Sequence, residues 1–141
     1  MDVGGTFIKS GLMSADGNLI EGSQQTVAIN SDGTQDEICN SLTSAVRQGV
    51  ALCRYYGFSP AGVGICMPGP FNYITGISAM VHNFAAIKDI PLRDVIKEAL
   101  DELDMPVVFG HDVNTQLYGE MCGGNGKGFA FIQFCFQNSA T

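Results

Sequence analysis

Two short apolar runs, Val63-Gly64-Ile65-Cys66-Met67 and Val107-Val108-Phe109, are bounded by glycine or proline and separated by stretches whose apolar residues recur every three or four positions. Runs this short read as buried strands. Ile38, Leu42, Ala45, Val46, Gly49, Leu52, Cys53 and Tyr56 mark one amphipathic helix, and Leu92, Val95, Ile96, Ala99, Leu100 and Leu103 mark another. Asp32 or Thr34 starts the first helix and Gly57 stops it, while Pro106 closes the second. Strands and helices alternating in this way belong to an α/β layered domain.

The amino-terminal segment adds a different pattern. Val3 and the stretch from Phe7 to Met13 are interrupted by glycines, Asp16-Gly17-Asn18 is a tight-turn signal, and extended character resumes at Leu19-Ile20 and Thr26 to Ile29. Two or three antiparallel strands joined by hairpins fit, so the sheet is mixed. After the strand ending at Phe109, Asp112 or Asn114 caps a third helix, with Leu117 and Met121 facing inward. Gly123 to Gly128 form a hinge, and Phe129 to Phe136 read as a final apolar strand. No internal repeat is present.

Composition excludes several classes. The 141 residues hold one domain plus the start of another, and 45% hydrophobic against 15% charged residues suffices for a packed core. Seven basic against 14 acidic side chains, a net charge of -7, argue against nucleic acid, which needs a basic face. No apolar stretch approaches the length that spans a bilayer, and Met1-Asp2-Val3-Gly4-Gly5 is not a secretory leader. The five cysteines form no CxxC pair, so a reduced, cytoplasmic protein with thiols in its core is expected.

Chemistry concentrates where glycines and polar residues follow strands. Gly4-Gly5 lets the backbone turn tightly and bring its N–H groups to an anion; Thr6 adds a hydroxyl, and Asp2 could hold hydrated Mg²⁺ nearby. An ordinary glycine-rich hairpin fits these five residues as well. The pattern is neither a dinucleotide fingerprint nor a Walker loop. Pro68-Gly69-Pro70 fixes the backbone at a strand's carboxyl end, where α/β ligand sites lie, or is only a rigid turn. Asn83 suits a sugar hydroxyl or ties down its own loop. Asp112 is either a helix N-cap or a carboxylate placed to accept a proton from a bound hydroxyl.

Asp2-Val3-Gly4-Gly5-Thr6-Phe7-Ile8-Lys9-Ser10-Gly11-Leu12, then Gly64 to Pro70, Asn83, and Asp112-Val113-Asn114 through Gly119-Glu120 together resemble the ROK family of sugar kinases and regulators, from residue 1 to about Gly128. The resemblance implies an actin-like ATPase (ribonuclease H-like) α/β domain with a mixed five-stranded sheet. Residues 1–123 would be the amino-terminal domain and 124–141 the hinge and first strand of a second domain that is otherwise missing. It implies ATP-dependent phosphorylation of a hexose: Gly4, Gly5 and Thr6 on the nucleotide phosphates, Asp2 near Mg²⁺ through water, Gly69 and Asn83 in the sugar pocket, and Asp112 as general base. The family's structural zinc site would lie in the missing half, and the resemblance leaves a homodimer possible in the full-length protein, since relatives dimerise mostly through that half.

The sequence departs from the family pattern in places. His111 stands where relatives carry an asparagine that contacts sugar, and Phe84-Ala85-Ala86-Ile87 replaces a Pro-Gly-Trp segment. The tail from Cys135 to Thr141 lacks the glycine-rich second phosphate loop. A truncated and inactive kinase fragment is therefore expected, the alternatives being a sugar-sensing regulator or a non-catalytic sugar-binding module.

Overall fold

The computed structural model describes residues 1–101 and 103–124. Five strands form one sheet: β1 (Asp2–Val3), β2 (Phe7–Ser10), β3 (Gln25–Ala28), β4 (Val63–Met67) and β7 (Val107–His111), in the order β3-β2-β1-β4-β7. β1, β2 and β3 pair antiparallel; β4 runs parallel to β1 and β7 parallel to β4. The mixed five-stranded sheet expected from the sequence is the one present. The anticipated strand at 129–136, and most of the hinge before it, lie outside the described residues.

Strand pleating decides which side chains meet. Val3, Ile8, Ile65, Met67, Val107 and Phe109 share one face and are buried. They form one cluster with Ile38 and Leu42 of α1 (Gln35–Tyr55), Leu92 and Ile96 of α2 (Leu92–Ala99), and Phe84 and Ile87 beside a short 3-10 turn, Ala85–Ile87. The opposite pleat carries Asp2, Cys66, Val108 and Gly110. Val108 is 60% exposed there, and α3 (Asp112–Cys122) is the one helix packed on that side among the described residues.

Local signals explain the helix ends. Thr34 is the N-cap of α1: its hydroxyl accepts from the Glu37 amide, and the Glu37 carboxylate accepts from the Thr34 amide at 2.8 Å. This capping box satisfies two otherwise orphaned groups. Gly57, at φ 79°, provides the left-handed exit that the sequence predicts. α2 is shorter than its apolar spacing suggests. It stops at Ala99, and Asp101 turns the chain through a left-handed conformation (φ 52°), so Leu103 packs against the core from a loop.

Two expectations for α3 need correction. Its N-cap is His111, the last residue of β7, whose backbone is still extended; Asp112 is already helical and Asn114 lies deeper in the first turn. Leu117 and Met121 do not join the core: Leu117 is half-buried and Met121 44% exposed, because among the described residues α3 packs mainly on β4 and β7. Nor are all the thiols core residues. Cys53 is buried, but Cys122 is exposed.

A small hairpin, β5 (Phe71–Asn72) with β6 (Ile77–Ser78), occupies the stretch after β4 that the sequence leaves irregular. Its turn is built by Asn72, whose side-chain oxygen accepts from the amides of Ile74 and Thr75, and by Gly76 at φ 78°. Arg93 clamps it from α2, donating to the carbonyls of Tyr73, Ile74 and Val107. Among the described residues, no helix is long and apolar enough to cross a membrane.

Candidate functional site

The parallel strands β1, β4 and β7 end at the same edge of the sheet. Asp2 is in register with Cys66, and Cys66 with Gly110. That row is two strand spacings wide, about 10 Å. Just beyond it stand the loops that the sequence singles out: Gly4-Gly5-Thr6 after β1, Pro68-Gly69-Pro70 after β4 and Asp112 after β7. The Gly69–Pro70 peptide is cis. The carboxyl edge of parallel strands is where α/β sheets accommodate ligands, since backbone groups there have no further strand residue to pair with.

The β1–β2 turn leaves donors free. The Gly4 amide donates to the Phe7 carbonyl at 3.0 Å, closing the turn, whereas the Gly5 and Thr6 amides have no acceptor among the described residues. Room is limited: a Cβ on Gly4 would lie 3.2 Å from the Phe7 carbonyl oxygen, and one on Gly5 3.3 Å from Ser31 Oγ. Two adjacent unsatisfied amides in a tight turn form an anion-binding concavity. Asp2, exposed, lies opposite Lys9 in the ladder, and Lys9 is a solvated strand residue as its alternation suggests.

Main-chain bonds tie the sugar-pocket candidate to this turn. The Ser31 amide donates to the Gly5 carbonyl at 3.0 Å, and the Phe84 amide donates to the Ser31 carbonyl at 2.9 Å. Phe84 is 1% exposed and holds φ 58°, uncommon for a bulky residue, so packing enforces the turn that presents its exposed neighbour Asn83.

At the β7 side, His111 Nδ1 lies 2.9 Å from Asp112 Oδ1. The alignment does not make a hydrogen bond, and this buried ring nitrogen has no other partner among the described residues. Asp112 Oδ1 also accepts from the Val113 amide at 2.7 Å. Tyr73 packs edge-on against the His111 ring, 5.8 Å between centroids, and donates to the Met67 carbonyl. Burial first, then the Asp112 charge, pushes the Tyr73 phenol above its ordinary pKa. A Cβ on Gly69 would lie 3.5 Å from the Tyr73 hydroxyl and 3.7 Å from His111 Nε2. Gly69, Tyr73, His111 and Asp112 thus meet at one corner.

Tyr73, Gly110, His111, Asn114, Thr115 and Tyr118 line a cavity of about 430 Å³ at this corner. It does not reach the Gly4–Thr6 turn; the candidate site as a whole is an open edge with two ends. Sequence reasoning missed Tyr73, Ser31 and Gly110. Gly110 was legible as a glycine one residue before the His-Asp pair. A Cβ there would lie only 2.6 Å from Thr115 Oγ1, so α3 can pack on β7 because the side chain is absent. Among the described residues, no three metal-ligating side chains cluster, and Asp2 stands as a single carboxylate near the free amides. One carboxylate beside phosphate is a fit for Mg²⁺, which keeps most of its waters.

Sheet order and the loops gathered at one edge define an actin-like α/β domain. The fold is shared with a ROK hexokinase from Thermus thermophilus (TM-score 0.67, 24% identity, over 85% of this chain and 36% of that one). It is shared also with an inorganic polyphosphate/ATP-glucomannokinase from Arthrobacter sp. strain KM (TM-score 0.69, 23% identity, over 90% and 48%). A third is a ROK family protein from Streptococcus pneumoniae in complex with sucrose (TM-score 0.61, 19% identity, over 88% and 37%). The chain thus spans less than half the length of each of these structures. Among curated proteins, none matches the sequence. The ROK family model matches residues 1–134, and the chain belongs to the ROK family.

Proposed function

We propose that this chain is the amino-terminal domain, residues 1–123, of an ATP-dependent hexose kinase, with 124–141 leading into a second domain that completes the cleft. The observation that carries the reading is the common ending of β1, β4 and β7, which puts a carboxylate and a turn with two unpaired amides on one edge. In this reading the Gly5 and Thr6 amides donate to phosphate oxygens, with Gly4 closing the turn beneath them. Asp2 holds Mg²⁺ through water. ATP and Mg²⁺ supply the transferable phosphoryl group and neutralise its charge.

Gly69, Asn83 and His111 position the sugar. Asp112 takes the proton from the attacking hydroxyl; its Oδ1 accepts from the Val113 amide and lies beside His111, and Oδ2 has no partner among the described residues. The carboxylate is mounted in the first turn of α3, where the helix N-terminus favours negative charge.

The test is Asp112→Asn in a polypeptide that also contains the second domain, assayed for hexose-dependent ATP turnover. Loss of a general base lowers kcat by about 10²–10⁴-fold. Turnover at the unsubstituted rate would remove Asp112 from this role. Saturable sugar binding without any turnover in the unsubstituted protein would refute the kinase and favour a sugar-sensing regulator.

A further inference from the structure

A second, larger cavity lies at the other end of the fold. α1 begins beside the Gly4–Gly5 turn and ends where the chain enters β4, so its last two turns sit at the amino edge of the strands. Arg47 is already about 18 Å along the helix from Gln35. There Arg47, Val50, Ala51 and Arg54 form a single stripe at spacings of three and four, facing Leu100 and Leu103 at the end of α2 across a cavity of about 720 Å³.

The charge on this stripe is out of keeping with the chain. Lys and Arg number only seven against 14 acidic residues. Yet two of the three arginines share this cavity, and among the described residues neither forms an ion pair, although Asp101 stands on the rim. The third, Arg93, is consumed by three carbonyls and the Phe109 ring. A purely structural account covers one bond: Arg47 Nε donates to the Ala99 carbonyl at 3.3 Å, as a cation at a helix C-terminus should. The remaining guanidinium donors of Arg47, and all of those of Arg54, have no acceptor among the described residues.

We propose that this cavity binds a small molecule carrying a phosphate monoester on an apolar or ring-shaped body. Its volume falls in the range of small-molecule sites. Two exposed arginines placed i and i+7 on one helix face line the same space, and guanidinium matches phosphate oxygens in pairs. Val50, Leu100 and Leu103 offer the body an apolar floor, so neither half of the ligand alone satisfies the site. The site is separate from the carboxyl edge and does not depend on the kinase reading.

The experiment is a titration of the isotope-labelled 141-residue chain with phenyl phosphate, phenol and inorganic phosphate, followed by amide NMR. Phenyl phosphate should shift the amides of Val50, Ala51 and Leu103 saturably, and bind about tenfold or more tighter than either of the other two. Arg54→Gln removes an exposed side chain that makes no hydrogen bond or ion pair among the described residues, and should weaken binding about tenfold. Arg54→Lys, which keeps the charge and loses the fork, should weaken it by a smaller factor. Shifts confined to Gly5 and Thr6, phenol or inorganic phosphate binding as tightly as phenyl phosphate, unchanged affinity in the two variants, or no saturable shift would each overturn the proposal.

Discussion

Replacing Gly110 with alanine tests how α3, and with it Asp112, is seated on the sheet. The backbone of Gly110 lies in β7 and needs no left-handed conformation, so alanine is permitted by the main chain. That substitution by itself would stabilise by about 0.4–1 kcal/mol through the unfolded state. Against this stands the new Cβ, 2.6 Å from Thr115 Oγ1, a separation that real side chains do not sustain. Two escapes exist. Thr115 rotates and gives up its 2.9 Å bond to the His111 carbonyl, costing about 0.5–1.5 kcal/mol, or the first turn of α3 lifts off, an overpacking cost of about 1–3 kcal/mol.

The net expectation for Gly110→Ala is a loss of about 1–2 kcal/mol. Thr115→Ala alone costs about 0.5–1 kcal/mol, because the hydroxyl is exposed. With both substitutions the clash disappears, so the double variant should be no less stable than Thr115→Ala alone. Urea denaturation of the four proteins closes the cycle. Effects that add to within about 0.5 kcal/mol would show that the contact does not govern the site, and the seating argument would be wrong.

The charge of Asp112 helps keep the Tyr73 phenol above its usual pKa, so Asp112→Asn should move that ionisation down, though burial keeps it from returning fully; NMR of ring-labelled tyrosine reads it, and an unmoved titration would separate the two residues. Thr34→Ala should cost about 1 kcal/mol in a denaturation measurement, the worth of a lost N-cap. Hydrogen bonds from the Thr34 amide and hydroxyl hold the Glu37 carboxyl below the ordinary glutamate range, so these bonds are present at neutral pH and are lost as the pH falls through the folded value; the stability gap between Thr34→Ala and the parent should narrow in acid, where the hydroxyl-to-carboxylate bond is gone, without closing, and a gap independent of pH would argue against it. Arg93→Lys retains charge but cannot serve three carbonyls and stack on Phe109, so thermal melting should report a loss of about 1–3 kcal/mol, and an unchanged midpoint would reduce the clamp to decoration.

What the sequence reveals of this fold is what local physics determines. The α1 stripe, its Thr34 start and the Gly57 exit follow from periodicity and capping. The short runs at 63–67 and 107–109 are strands because no helix that short holds itself, and the second strand continues to His111. Where the sequence misleads, tertiary contact overrides pattern. Leu103 continues the spacing of α2, but Asp101 turns the chain first. Leu117 and Met121 have inward spacing, yet among the described residues Leu117 is only half-buried and Met121 stays exposed. The candidate site divides in the same way. Gly4, Gly5 and Asp112 announce themselves as residue types after strands, and Asp2 as a carboxylate just before the glycines. Tyr73 and Ser31 do not, because their importance comes from neighbours far along the chain: His111 for the one, Gly5 and Phe84 for the other.

The link from Gly5 through Ser31 to Phe84 is made wholly of peptide groups, so no exchange at Ser31 other than to proline removes one of its bonds. Residues facing outward along this path can therefore be rewritten while the two ends of the open edge keep their spacing, and on the kinase reading sugar preference changes with them. A library randomised at Asn83 should yield proteins that differ in selectivity far more than in melting temperature.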